Sequence, residues 1–184
     1  MAFELPAEVC ERLGDRMAAL RERLPPARWV SPDLLHLTLV FVGEVEEELL
    51  GPIQHALGPV FHASPTLRLR LGAPGTFPPR RPARVAWVAI ESKDDLASLE
   101  RAARAALGTV LREPLEDRPH HAHVTLARPR RTWSRGAIAA FHDGIAGVTG
   151  EWEAPRAILF ESRRGAPGPR YAMRAEYPLS GARA

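Results

Sequence analysis

The sequence predicts an α+β fold with mostly antiparallel sheets, and three observations carry that prediction. Its periodicities run helix, strand, helix, strand, strand, helix, strand, helix, strand, strand, without the strict strand–helix repetition of a parallel sheet. A four-residue pattern, His36-Leu37-Thr38-Leu39, returns as His123-Val124-Thr125-Leu126 nearly half a chain later, so the two halves look related. No composition shift marks a linker within the 184 residues, so 1–184 reads as one domain made of two lobes.

The elements follow in order. Over 7–24, Val9, Leu13, Met17, Leu20 and Leu24 recur at spacings of three and four, which predicts an amphipathic helix. Pro25 and Pro26 stop it, and Trp29-Val30 begins an extended segment closed by a turn at Ser31-Pro32-Asp33. Residues 34–42 read as a strand ending at Gly43. Residues 46–57 read as a helix with an acidic first turn, which suits the helix dipole, interrupted at Gly58-Pro59. Residues 67–71 alternate leucine and arginine as a half-buried strand does, and 72–82 form a Gly/Pro/Arg loop. Residues 85–90 are apolar throughout and predict a central strand. Asp94 and Asp95 cap a helix whose inner face holds Leu96, Leu99, Ala103, Leu107 and Val110. Residues 121–127 predict a strand, 133–141 a short helix, and 157–162 with 171–177 a hairpin around a long loop.

Composition narrows the class. The apolar share of 45% supports a real core, and no apolar run approaches the roughly 20 residues of a membrane span. The opening residues lack a basic region followed by an apolar stretch, so no signal peptide is expected and the compartment reads as cytoplasmic. The single cysteine, Cys10, excludes an intrachain disulfide and a cysteine metal site. Of 25 basic residues only Lys93 is lysine. A GC-rich genome accounts for much of that bias. Arginine is also the residue whose planar fork suits phosphate.

The repeated motif has a simple physical reading. In a strand, residues i and i+2 share a face, so His36 projects with Thr38 and His123 with Thr125. Leu37 and Val124 point the other way, into a core. Two imidazoles and two hydroxyls around one cleft suit a tetrahedral oxyanion. Histidine titrates near neutrality, so one can act as base while the other acts as acid. The threonines can donate to non-bridging oxygens, and Arg128 is a third candidate anion ligand. No metal or other cofactor is needed for this chemistry. A single His-x-Thr in a strand carries little information; two in matching contexts carry much more.

The stretch WVSPDLLHLTLVFVGEV over 29–45 resembles the first signature of the bacterial RNA 2′,3′-cyclic phosphodiesterases, the 2′-5′ RNA ligase-like branch of the two-histidine (2H) phosphoesterase superfamily. DRPHHAHVTLAR over 117–128 resembles the second. GTFP at 75–78 with RRP at 80–82, VAW at 85–87, and LFES at 159–162 followed by GPRY at 168–171 fit in order. Two departures stand out. Only Ala2-Phe3-Glu4-Leu5 remains of an opening apolar strand, and Ala122 stands where the family often has proline. The resemblance implies a bilobal, pseudo-symmetric fold, with two mostly antiparallel sheets lining a central cleft and helices outside. It implies hydrolysis of an RNA 2′,3′-cyclic phosphate end to a 2′-phosphate with a free 3′-hydroxyl. By position, His36 is the proton donor and His123 the proton acceptor, with Thr38, Thr125 and Arg128 on the phosphate; the residues alone show only the pair.

The other candidates form a rim. Phe77, flanked by Arg80, Arg81 and Arg84, offers a stacking surface beside phosphate ligands. Arg163 and Arg164 are placed to meet a second phosphate, and His121 lies at the cleft edge. Strand alternation sets His120 opposite His121 and His123, and no carboxylate or cysteine completes a familiar metal spacing. His55, His62 and His142 read as solvated, and Phe41, Trp87 and Trp152 as core. Two alternatives to the hydrolase remain: reversible 2′-5′ joining of tRNA halves in the same cleft, and an RNA-binding module without catalysis. RNA is the expected partner in all three, with no membrane and no obligate protein partner.

Overall fold

Sheet pairing in the computed structural model, which describes residues 1–79, 83–115, 120–163, 165 and 170–181, is antiparallel throughout. The strands are β1 (Ala2–Glu4), β2 (Ala27–Trp29), β3 (His36–Thr38), β4 (Leu67–Phe77), β5 (Val85–Ser92), β6 (His123–Pro129), β7 (Glu151–Ala154), β8 (Arg156–Arg163) and β9 (Arg170–Pro178). The helices are α1 (Ala7–Arg21), α2 (Leu50–His62), α3 (Leu96–Gly108) and α4 (Arg135–Ile145). Among the described residues the strands form one sheet in the order β7-β4-β5-β6-β3-β1-β8-β9, with β2 on the remainder of β6. The α+β class predicted from element order is therefore the one observed. The two expected sheets are joined into a single path, because the motif strands β3 and β6 pair with each other.

One apolar core lies on the sheet face opposite the motif histidines. Phe3, Leu37, Val124, Leu126, Val88 and Leu69 from the strands meet Leu13, Leu57, Leu107 and Phe141 from the four helices. The helix stripes explain this directly. Val9, Leu13, Met17 and Leu20 of α1, and Ile53, Leu57 and Phe61 of α2, are buried at spacings of three and four. Asp95 caps α3 by accepting from the Ser98 amide at 2.8 Å, and Ser134 caps α4 by accepting from the Ala137 amide at 3.2 Å.

Several boundaries differ from the sequence expectation, each for a physical reason. α2 runs through Pro59, because the proline sits on the exposed face while Phe61 continues the buried stripe. The segment 72–77 is strand rather than loop, since β4 keeps pairing with β5 past a register shift between Leu71 and Pro74 that accommodates the proline. The strand expected over 34–42 shortens to His36–Thr38. Leu39 and Val40 are buried in succession, and both amides reach the Met1 carbonyl, so alternation stops there. Phe41 is consequently not core but 73% exposed. β7 was not expected; its burial alternates with Trp152 and Ala154 inward and two glutamates outward. The short opening segment is a real strand and lies inside the sheet, between β3 and β8.

Candidate active site

The site starts from one backbone pairing. β3 and β6 run antiparallel with Leu37 opposite Val124, the middle residue of each motif. Both are fully buried. Continuing that register by one residue sets His36 across from Thr125 and Thr38 across from His123, all four on the face away from the core. The two motifs are thus related by an approximate local two-fold axis through the Leu37–Val124 pair. The two histidines are diagonal neighbours, roughly 7–8 Å apart at Cα, a separation that leaves room for one phosphate between the rings.

The histidines are held in the same way. His36 Nδ1 donates to the Leu34 carbonyl at 2.8 Å, and His123 Nδ1 donates to the His121 carbonyl at 2.6 Å. Each ring therefore hydrogen-bonds the carbonyl two residues before it. That bond places the proton of the neutral ring on Nδ1 and leaves Nε2 for proton exchange. Neither Nε2 has a hydrogen-bond partner among the described residues.

Burial holds both imidazoles below the ordinary histidine range, against the opposing pull of the carbonyl bonds. At His123 the nearby His121, His120 and Arg128 lower it further, and at His36 the N-terminal amine does the same. Arg128 reaches that face through a β-bulge. β6 pairs Trp87 with Thr125 but Ala86 with Ala127, so one extra residue is inserted. Leu126 and Ala127 are both buried, and Arg128 emerges on the same side as His123 and Thr125. Simple alternation from Thr125 would have sent it to the core face.

Different walls flank the two histidines. Phe77, Trp87 and His121 surround His123, with ring centroids 5.2, 5.9 and 6.2 Å from it. Trp87 lies against Gly75, where a Cβ would come within 2.2 Å of the indole. Beside His36 stand Tyr171, at 5.1 Å in edge-on contact, and Phe160 at 6.4 Å. These two, with Glu4, Asp33 and His36, line a small cavity of about 140 Å³.

His121 is exposed, with its ring 4.6 Å from that of Trp87. His120 turns away from both and donates from Nε2 to the Thr38 carbonyl at 3.2 Å, tying the two motif strands together. Arg80, Arg81 and Arg164 lie outside the described residues. Arg163, beside the last of these, is paired with Glu161. Trp152 is core, but Trp87 is not: it shares the cleft face with its partner Thr125. His142 is half-buried against Phe141 rather than solvated. Sequence reasoning missed Trp87 because both faces of β5 are apolar, which hides its alternation. It missed Phe160 and Tyr171 as neighbours of His36 because only β1 and β8 bring the hairpin there.

A curled antiparallel sheet with twin His-x-Thr strands at its centre is the fold of the two-histidine phosphoesterases. The structure superposes on the crystal structure of TT0787 from Thermus thermophilus with a TM-score of 0.83 and 26% identity, covering 99% of this chain and 97% of that one. It shares its fold with Escherichia coli LigT, at a TM-score of 0.70, 23% identity, and coverage of 97% and 95%. The model of the 2'-5' RNA ligase superfamily matches residues 5–163, and the chain belongs to that superfamily. An RNA 2',3'-cyclic phosphodiesterase of Thermus thermophilus is 32% identical over 98% of this chain and 89% of its own length. One from Geobacillus stearothermophilus is 27% identical over 99% of this chain, which spans only 57% of that relative.

Proposed function

We propose that this protein is a hydrolase of RNA 2′,3′-cyclic phosphate ends, yielding a 2′-phosphate and a free 3′-hydroxyl. The observation that carries the reading is the Leu37–Val124 pairing, which puts His36, Thr38, His123 and Thr125 on one face in two-fold relation. Relatives of that name, one of them matched over 89% of its length, support the substrate. The reading takes 1–184 as one domain with a motif in each lobe.

The chemistry then follows. His123, neutral at Nε2, removes a proton from a water that attacks phosphorus opposite the 3′-oxygen. The P–O3′ bond breaks, and the electron pair stays on O3′. His36, protonated at Nε2, supplies the proton that makes the 3′-hydroxyl. Thr38, Thr125 and Arg128 donate to the non-bridging oxygens as charge builds. Arg128 beside His123 supports its role as base, because its charge favours the neutral ring. A bound phosphodiester anion favours the imidazolium at His36, offsetting its burial.

The test uses purified protein and an oligoribonucleotide ending in a 2′,3′-cyclic phosphate, in EDTA. Product carrying a 2′-phosphate is expected. No turnover, or turnover unchanged by His36→Ala and His123→Ala, would overturn the proposal.

A second reading, reversible 2′-5′ joining, draws on aromatic walls at both ends of the histidine pair. Tyr171 and Phe160 on one side, and Phe77 and Trp87 on the other, fit a nucleoside on each side of one phosphate. Incubation with paired tRNA halves that end in a cyclic phosphate and a 5′-hydroxyl checks it. Joined product is expected if both walls hold a nucleoside.

A further inference from the structure

The cleft face continues beyond Arg128 onto a short strand that the reaction does not use. β2 pairs with the outer end of β6, and Arg28 lies directly opposite Arg128. Opposed residues on an antiparallel ladder share a face, so Arg28 projects beside Arg128 on the histidine side. The Arg130 amide donates to the Pro26 carbonyl at 3.1 Å, which carries the same register one step past Pro129. Arg130 is therefore the diagonal neighbour of Arg28, and alternation from Arg128 keeps it on the same face. All three are exposed.

Like charges set opposite each other on a ladder are destabilising. Elsewhere in the sheet most strand arginines are answered by carboxylates among the described residues, Arg170 at the start of β9 being an exception. Arg68 pairs with Asp94, Arg70 with Glu91, Arg156 with Glu4 and Glu176, and Arg174 with Glu47 and Glu161. Even Arg163, which faces Arg170 across β8–β9, is paired with Glu161. Arg28, Arg128 and Arg130 have no carboxylate partner among the described residues. The cluster is a run of unneutralised guanidinium groups that begins at His123 and leads away along β6 and β2. Such a run fits a ligand that brings its own negative charges in series.

We propose that Arg28 and Arg130 bind the backbone phosphate next to the one held between the histidines. This deepens, and rests on, the cyclic-phosphate reading. In a strand that ends in a 2′,3′-cyclic phosphate, the neighbouring phosphate lies only on the 5′ side. The arginines therefore receive the penultimate phosphate, and β2 fixes the direction in which the RNA leaves the cleft. The protein then prefers an oligonucleotide end to a free nucleoside cyclic phosphate, through KM and not through the chemical step.

Two measurements test this. The first compares a pentaribonucleotide ending in a 2′,3′-cyclic phosphate with a mononucleoside 2′,3′-cyclic phosphate. Arg28→Gln and Arg130→Gln are expected to raise KM for the pentamer about three- to tenfold each, the loss of one charge-assisted contact to phosphate, leaving its kcat and both constants for the mononucleotide unchanged. Equal effects on the two substrates, or none on either, overturn the proposal. The second measures binding of a fluorescein-labelled pentaribonucleotide ending in a 2′-phosphate, by anisotropy in EDTA across a salt series. The slope of log K against log salt is expected to fall by about 0.7 in the Arg28→Gln/Arg130→Gln double variant, the share of one phosphate. An unchanged slope in the double variant overturns the proposal. If the wild type turns over neither substrate, the hydrolase reading fails on its own account, and the salt series still decides whether these arginines hold RNA phosphate.

Discussion

The two motif strands share a backbone plan and differ in what surrounds it. On both, a histidine bonds the carbonyl two residues before it, a threonine follows on the same face, and the middle residue is fully buried. Around His123 the protein gathers Arg128, His120 and His121 and the Trp87–Phe77 wall. Around His36 it sets Tyr171, Phe160 and a small cavity lined by Glu4 and Asp33. The symmetric part fixes geometry: two rings and two hydroxyls on one face, where the proposed reaction needs them. The asymmetric part gives each ring its own charged neighbour, Arg128 beside His123 and the N-terminal amine beside His36. The proposed reaction asks these two similarly held rings to move protons in opposite directions.

The largest expected effect breaks both halves equally. Replacing either histidine by alanine is expected to lower kcat by about 10²- to 10⁴-fold, measured by release of the 3′-hydroxyl product. A variant that keeps near-normal turnover would show that only one half is catalytic. Thr38→Val and Thr125→Val each remove one proposed donor to the phosphate, and a loss in kcat of about 10²-fold is expected from either. A loss confined to one of them would mean that the oxyanion leans on one strand.

The pH profile sharpens the difference between the halves. Burial lowers both imidazoles, so the bell of kcat/KM is expected to centre below the ordinary histidine value of 6.5. Arg128→Gln removes a cation that lowers His123, so that histidine then titrates at higher pH. With His123 as the proposed base, the ascending limb is expected to move upward while the descending limb stays. Movement of the descending limb alone would make His123 the acid. A smaller effect is expected at Gly75, where alanine would push the Trp87 indole out of its seat. KM is expected to rise a fewfold, within the range of lost base stacking, with kcat nearly unchanged. A fall in kcat alone would show that the wall positions His123 and does not hold a base.

What could be read from the sequence follows from how local each feature is. Alternation within a strand is a property of two neighbouring residues, so the shared face of His36 with Thr38 and of His123 with Thr125 needed nothing beyond the chain. The buried helix stripes, and the cap at Asp95, are likewise legible over a single element. The bulge at Leu126-Ala127 is different. One extra residue in one strand inverts every later side chain, and only the pairing with β5 reveals it. Arg128 was readable as a candidate by type and position, but its arrival on the histidine face is a fact about register.

The sequence by itself determined the α+β class, the two motifs and the family resemblance, because these rest on periodicity and residue identity within short windows. Tertiary structure alone decided that the motifs meet. The contact that joins them, Leu37 against Val124, spans nearly half the chain, and no local signal encodes which strand lies beside which. It also decided that Trp87 and Tyr171 face the cleft and that Phe41 faces water. The physical reason is the same in each case. A strand's period fixes two faces, and only the neighbouring strands settle which of them becomes the site.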